Sequence, residues 1–354
     1  FTKKGKKGFH PYVSAGYGRY KTKEMAAGFS AGNDSTSFSL NLSGMNTDGF
    51  SAFLPNDNAG SNLRSLDRDT YRNRGVSSSL SHQFNDEIKI DFQYFLTTAK
   101  NMFDSGFAEY DPTEIDYKNK AKQEAYSTKL TGNINDYWES SIKIGKSTDL
   151  YSDQQKDYVQ GKINKFETSQ YQLAWQNNIN LDYGSLVLLY DYLKEEIDTT
   201  NVYDKDKRDN HGFVLGYNMQ YEKHTIQTSL REDINSQYDN ETTGSIGYAY
   251  QINNQWKVSS LFGTAFVAPT FNDLYFPGSY NNPDLKPEKS KNIEASLKYS
   301  DNSTSISLTA YQNKIDDFIV SSGDPLYIPD NINKAKIQGM TLSADHFLGN
   351  LQLK

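Results

Sequence analysis

Apolar and polar residues alternate with a period of two through most of the chain. In Ile88-Lys89-Ile90-Asp91-Phe92-Gln93-Tyr94 every second side chain is apolar. Phe38-Ser39-Leu40-Asn41-Leu42, Ile246-Gly247-Tyr248-Ala249-Tyr250 and Ile306-Ser307-Leu308-Thr309-Ala310 repeat the pattern. This period puts apolar side chains on one face of a strand and polar ones on the other. It predicts strands over 9–18, 22–31, 36–46, 70–82, 88–100, 122–133, 137–147, 166–178, 185–197 and 210–222. Further strands are predicted over 224–235, 241–251, 255–266, 290–300, 303–317 and 333–347, and one more starts at Leu351-Gln352-Leu353. That makes about seventeen.

The connections are unequal. Short ones are built from turn formers: Gly32-Asn33-Asp34-Ser35, Asn85-Asp86-Glu87, Asn133-Ile134-Asn135-Asp136, Asn253-Asn254, Ser300-Asp301-Asn302-Ser303 and Leu348-Gly349-Asn350. Long ones cover roughly 47–69, 101–121, 148–165, 198–209, 266–289 and 318–332. No segment of helical period separates the strands, which argues against a parallel α/β sheet. Strands of about ten residues with one apolar face, short turns at one end and long loops at the other, fit a transmembrane antiparallel β-barrel. The expected fold class is therefore all-β. Large plugged barrels have ~22 strands, so the last several are expected to be missing. Such a piece is not expected to form a sealed pore alone, because open edges cannot be satisfied in lipid.

Composition changes this picture little. A mean hydropathy of −0.76 and the absence of any apolar run near ~18 residues leave no candidate membrane helix. For a barrel that is uninformative, since inward polar residues cancel outward apolar ones. The 26 Tyr and 19 Phe among 354 residues suit interfacial aromatic girdles, although a soluble β-rich protein with a Tyr-lined groove has the same composition. There is no Cys, which excludes disulfides, Cys-ligated metals and Cys nucleophiles. A net charge of −7 argues against a nucleic-acid partner. The five histidines, His10, His82, His211, His224 and His346, form no metal-spaced pair. No convincing Ser/His/Asp arrangement or acid pair suggests an enzyme. Phe1-Thr2-Lys3-Lys4-Gly5-Lys6-Lys7-Gly8 is basic and is not a signal peptide.

One stretch is more specific. Gly263-Thr264-Ala265-Phe266-Val267-Ala268-Pro269-Thr270 leads through Leu274-Tyr275-Phe276 to Asn282-Pro283-Asp284-Leu285-Lys286-Pro287-Glu288-Lys289-Ser290. It resembles the barrel signature of TonB-dependent outer-membrane receptors, with Val267 where a basic residue is usual. Glu294 and the Tyr311-Gln312-Asn313 to Asp317 region also fit. Within that family the chain is most similar to the cobalamin receptors, through Ser14-Ala15-Gly16-Tyr17-Gly18 and through Gln170-Tyr171, Trp175 and Asn177-Asn178. The resemblance covers the whole chain. It implies that residues 1–8 are the end of an N-terminal plug and that 9–354 are barrel, cut short at its C-terminus. It further implies a Gram-negative outer-membrane location and energy from TonB-ExbB-ExbD acting through the plug, which lies outside this chain. The implied cargo is cobalamin or another corrinoid, with a ferric siderophore or haem as the alternative. Outer-membrane lipid surrounds such a barrel, and phage or bacteriocin adhesion would be incidental to its loops.

Acidic residues gather in two of the long loops. Asp67-x-Asp69 places two carboxylates on one face of an extended segment, and Ca²⁺ favours six to eight oxygen ligands from adaptable loops. On the residues alone, ordinary solvated loop aspartates explain the cluster better. The resemblance implies a calcium site at Asp48, Asp67, Asp69, Asp104 and Asp116, with a backbone oxygen from Phe103. Ser65 stands where the family often has Gln. It also matches a cargo contact to Asn164, where the family has Thr. Tyr110, Tyr275 and Tyr280 are candidates for stacking on a flat ligand, against the plainer reading of exposed loop aromatics.

Overall fold

The computed structural model describes residues 7–50, 68–104, 116–155, 163–278, 280–322, 327–348 and 351–353. Seventeen strands join in one antiparallel sheet, as the alternation predicts. In chain order they are β1 (Gly8–Tyr17), β2 (Lys23–Gly32), β3 (Thr36–Thr47), β4 (Tyr71–Gln83), β5 (Ile88–Asp104), β6 (Asp116–Asn135), β7 (Trp138–Gln155), β8 (Asn164–Leu181) and β9 (Gly184–Thr199). They continue with β10 (Lys207–Tyr221), β11 (His224–Asn235), β12 (Glu241–Gln251), β13 (Trp256–Val267), β14 (Glu288–Ser300), β15 (Thr304–Ser322), β16 (Ile328–Leu348) and β17 (Leu351–Leu353). One short helix, α1 (Phe271–Tyr275), interrupts the β13–β14 connection, and a 3-10 turn covers Arg19–Lys21. No described helix is long and apolar enough to cross a membrane.

The chain divides into two compact units. The first comprises Phe1–Asn133, Ser141–Leu173 and Leu193–Val202; the second comprises Ile134–Ser140, Ala174–Tyr192 and Tyr203–Lys354.

In the first unit β1 to β6 form a meander, each strand paired with the next. The registers sort its side chains by face. Phe29, Leu40, Ser78, Tyr94 and Tyr126 share one rung, and Ala27, Leu42, Val76 and Leu96 share another. On the opposite face Ser30, Ser39, Ser79, Gln93 and Ser127 align, and the Ser39 and Ser79 hydroxyls bond at 2.7 Å. A cavity of about 750 Å³ opens on this polar face, lined by Ser39, Asn41, Ser77, Gln93, Ser127 and Lys143 among others. At Gly28 the missing side chain admits the Tyr12 ring, since a Cβ would lie 2.8 Å from Tyr12 Cε1. The Tyr12 hydroxyl donates to Asn41 Oδ1 at 3.1 Å.

The second unit repeats the scheme. Strands β10 to β17 pair in sequence. Tyr250, Val258, Leu297, Leu308 and Leu342 form an apolar rung. Ser259, Ser296, Thr309 and Thr341 form a polar one. Large apolar side chains on the first face stay exposed, among them Leu42, Phe92, Tyr248, Leu297 and Leu342. A soluble monomer rarely leaves such a continuous apolar face uncovered.

Four short turns use one device. The side-chain oxygen of the first turn residue accepts from two backbone N–H groups, which satisfies donors the ladder leaves open. Asn33 accepts from Ser35 and Thr36, Asn85 from Glu87 and Ile88, Asn253 from Gln255 and Trp256, and Asp301 from Ser303 and Thr304.

The strands run further into the long connections than the alternation indicates. β5 reaches Asp104 and β6 starts at Asp116, so the 101–121 connection shrinks to 105–115. The cause is pairing: Asn101 to Asp104 and Asp116 to Asn119 complete a ladder although their side chains do not alternate.

Candidate cation and ligand site

Of the candidate calcium residues, Asp48, Asp69, Phe103, Asp104 and Asp116 lie at or near the ends of β3 to β6 of the first unit. Gly49 has a φ of +63°, the left-handed region that favours glycine. It also abuts the Asp69 backbone, into whose carbonyl a Cβ would collide. This close approach sets the residue after Asp48 against the Asp69 backbone. The Met102 N–H donates to the Thr70 carbonyl at 3.0 Å, which ties the segment carrying Asp69 to the end of β5. There Phe103 pairs with Tyr117, and Asp104 lies opposite Asp116 on the last rung. Two carboxylate residues directly opposite each other weaken a ladder unless a cation neutralises them. Asp67 and Tyr110 lie outside the described residues.

Asp48 already has cationic neighbours. Its Oδ2 lies 3.0 Å from Lys21 Nζ and 3.3 Å from Arg68 Nη1. The hydrogen-bonded Lys21 ammonium, with the Arg68 charge added, holds this carboxyl below its ordinary range. Among the described residues no three His, Cys, Asp or Glu side chains are grouped to hold a metal.

The other ligand candidates are placed separately. Asn164 is exposed at the start of β8, where its Nδ2 donates to Asp153 Oδ2 at 3.2 Å. Tyr280 is exposed. Tyr275 is buried within α1, with Lys205 Nζ 5.6 Å from its ring centre, so it packs the loop and does not offer a stacking face.

The signature stretch of the second unit folds its longest connection into a small core. Thr270 caps α1: its hydroxyl accepts from the Asp273 N–H at 3.1 Å, and the Asp273 carboxylate accepts from the Thr270 N–H at 2.9 Å. Phe271, Leu274, Tyr275 and Leu285 are buried there. The Pro269 carbonyl accepts from Arg208 Nη1 at 2.8 Å. Asn282 Nδ2 donates to the Pro329 carbonyl, Asn331 bonds both the N–H and the carbonyl of Lys286, and Glu288 Oε1 accepts from the Ile319 N–H. The Asn-Pro to Pro-Glu residues thus pin the loop to the ends of β15 and β16.

The alternation gave no hint of one charged cluster on the polar face of the second unit. Arg231 bonds Asp191 at 2.7 and 3.2 Å and Asp233 at 2.7 and 2.6 Å. Asn210 Nδ2 adds a bond to Asp233 at 2.7 Å. Gly212 makes the room, since a Cβ would lie 2.7 Å from Asp191 Oδ2. Arg231-x-Asp233, two charges of opposite sign on one strand face, was the available signal. Nearby, Lys289 Nζ lies 2.8 Å from Glu241 Oε2.

Comparison with known proteins agrees with this architecture. The chain is 31% identical over 296 residues to a vitamin B12 transporter, BtuB, of Photobacterium profundum, covering 80% of this chain and 47% of that protein. It is 28% identical over 324 residues to the BtuB of Vibrio vulnificus (strain YJ016), covering 88% and 50%. The chain thus spans about half the length of the curated relatives it matches. In fold it is similar to the ferric enterobactin receptor PfeA of Pseudomonas aeruginosa, with a TM-score of 0.80 at 15% identity over 99% of this chain and 62% of that one. The siderophore receptor PirA of Acinetobacter baumannii gives 0.78 at 15% identity, with the same coverage. Residues 9–353 match the family described as TonB dependent receptor-like, beta-barrel, a family of outer-membrane receptors and transporters, and the chain belongs to it.

Proposed function

We propose that this chain is the barrel wall of a TonB-dependent transporter that brings cobalamin or a related corrinoid across the outer membrane. The observation that carries the cargo is the identity of the sequence relatives. Proteins matched at 28 to 31% identity are vitamin B12 transporters, whereas the siderophore receptors match at 15% and share the fold. In this reading the long connections face outward and capture the cargo. A plug outside the present chain, coupled to TonB, ExbB and ExbD, admits it.

Calcium belongs to the same proposal. Asp48, Asp67, Asp69, Asp104 and Asp116, with the Phe103 carbonyl, would hold it. Bound there, Ca²⁺ would neutralise the opposed rung and tie together the two acidic loops. Asp48 would exchange Lys21 for the metal. Asn164 and Tyr280 would meet the cargo.

Titration of the full-length protein tests both parts. Cyanocobalamin should bind, and more tightly with Ca²⁺ present. The Asp67→Ala/Asp69→Ala variant should lose the calcium effect. Binding of ferric siderophore or haem in place of cyanocobalamin would overturn the cargo, and calcium binding unchanged in the variant would overturn the site.

A further inference from the structure

We infer that the loop-side end of the β12–β13 seam is a joint with two arrangements, a slit bridged by side chains and a closed ladder. The joint sets the stance of the connection that carries α1. It stands on the geometry of the second unit; its link to cargo capture rests on the proposed function.

The β12–β13 ladder runs from Gln251 and Lys257 up to Ser245 and Gly263, where it stops. Both strands go on. Residues 241–244 stay paired with β11, as far as Glu241 opposite Asp233. Residues 264–267 stay paired with β14, as far as Val267 opposite Glu288. Each side of the seam thus keeps its other neighbour while the two sides part.

Side chains span the parted stretch. The Gly244 N–H donates to the Thr264 hydroxyl at 2.9 Å, and that hydroxyl donates to the Gly244 carbonyl at 3.3 Å. Continued register would put Thr264 itself opposite Gly244, where its backbone would take the same two groups. Gly244 is satisfied in either arrangement, so neither leaves its backbone polar groups orphaned. Further along, the Tyr238 and Phe266 rings meet edge to face at 6.0 Å.

One ion pair decides between the two. By register Lys289, opposite Phe266, holds an apolar-face position, and Glu241, opposite Asp233, holds a polar-face one. Lys289 Nζ nevertheless lies 2.8 Å from Glu241 Oε2, and the Glu241 side chain is 7% exposed. A closed ladder would set the two residues on opposite sides of the sheet. Ladder and ion pair therefore exclude one another. The slit keeps a nearly buried carboxylate neutralised; the ladder regains backbone bonds. Offsetting sets of this kind make an element whose two states a modest bias can exchange.

The joint has something to move. Val267 leads through Ala268 and Pro269 to α1 and its small buried core. Closing the seam draws the end of β13 toward β12 and carries α1 with it. Tyr280 lies on the same connection.

The test is disulfide formation in the full-length protein carrying Thr243→Cys and Ala265→Cys. Continued register makes these two residues directly opposite and non-hydrogen-bonded, with Cα atoms about 4.5 Å apart once the ladder closes. A disulfide needs that approach, and this chain has no cysteine of its own. Ala249→Cys with Ser259→Cys, the same kind of pair within the intact part of the seam, gives the rate of a closed ladder. The first pair should oxidise more slowly than the second. Lys289→Gln and Thr264→Val should each speed it about threefold, the effect of losing one partly exposed ion pair or one hydrogen bond. Thr264→Val keeps the side-chain shape and serves if loss of Lys289 disturbs folding. Saturating cyanocobalamin should speed it too, since a connection closing on cargo carries β13 with it. A first pair that oxidises as fast as the second, or that neither substitution moves, would overturn the joint. Cyanocobalamin that binds by titration yet leaves the rate unmoved would overturn the link to capture. Absence of cyanocobalamin binding would count against the cargo reading, and the two substitutions would still decide the joint.

Discussion

Arg231 is where a single substitution should unsettle the second unit most. Its guanidinium makes four bonds to two carboxylates. The side chain of Asp233 is 3% exposed and that of Asp191 is 15% exposed. In Arg231→Met the two carboxylates are left near one another without a counter-charge. Stranding a buried charge costs about 3–5 kcal/mol. Because Arg231 itself is 31% exposed, water offsets part of this, and about 2–4 kcal/mol is expected. The assay is urea-dependent unfolding of the full-length protein in lipid vesicles, followed by tryptophan fluorescence and by heat-dependent gel mobility. Adding Asp191→Asn and Asp233→Asn to Arg231→Met should recover most of the loss, since the stranded charge is its source. Gly212→Ala should imitate Arg231→Met without replacing a charged residue, by filling the space between Arg231 and Asp191. A deficit under ~0.5 kcal/mol for Arg231→Met, or a triple variant as unstable as the single one, would refute the reasoning.

Three other outcomes follow from local geometry. If the proposed calcium site is formed, Gly49→Ala should weaken Ca²⁺ binding at least tenfold, because its Cβ would collide with the Asp69 carbonyl and displace that segment; titration calorimetry with unchanged affinity would contradict this. Asp301 is held well below the carboxylate range by the Tyr299 hydroxyl and by the Ser303 and Thr304 N–H groups. A lowered folded-state value means stabilisation that is complete above the unfolded value of 3.8 and lost as pH falls below it. Asp301→Ala should therefore lower the melting temperature most at pH 7 and by progressively less as the pH falls below 3.8, with a deficit still present at pH 3, checked by thermal scans from pH 7 to pH 2. Glu222 has a φ of +50° in the β10–β11 turn, so Glu222→Asn should stabilise by up to ~1 kcal/mol in urea titration.

Most of the architecture was legible because the period-two pattern is a direct record of which face each residue occupies. All seventeen predicted strands form. What the pattern missed obeys other rules. The outer ends of β5 and β6 do not alternate apolar with polar and are strands only because a partner supplies the ladder. The helix α1 is too short for periodicity and depends on the reciprocal Thr270–Asp273 cap. The close approach of Gly49 to the Asp69 backbone goes with the positive φ of Gly49, which a list of aspartates does not encode. The Arg231 cluster joins β9 and β11 across β10, and no periodicity in one strand reports a partner two strands away.

The capped short turns bear on how such a sheet assembles. Each of the four closes within a few residues, using a side chain that belongs to the turn itself. In both meanders every strand pairs with its neighbours in sequence, so long-range searching adds little to the cost of each hairpin. A capped hairpin can form before the strands beyond it exist in any order, and it then presents a bare edge to the next. The ladder can therefore lengthen from whichever end leaves the ribosome or meets the membrane first. A defect in one cap should slow one pairing step and leave the rest of the sequence of steps intact.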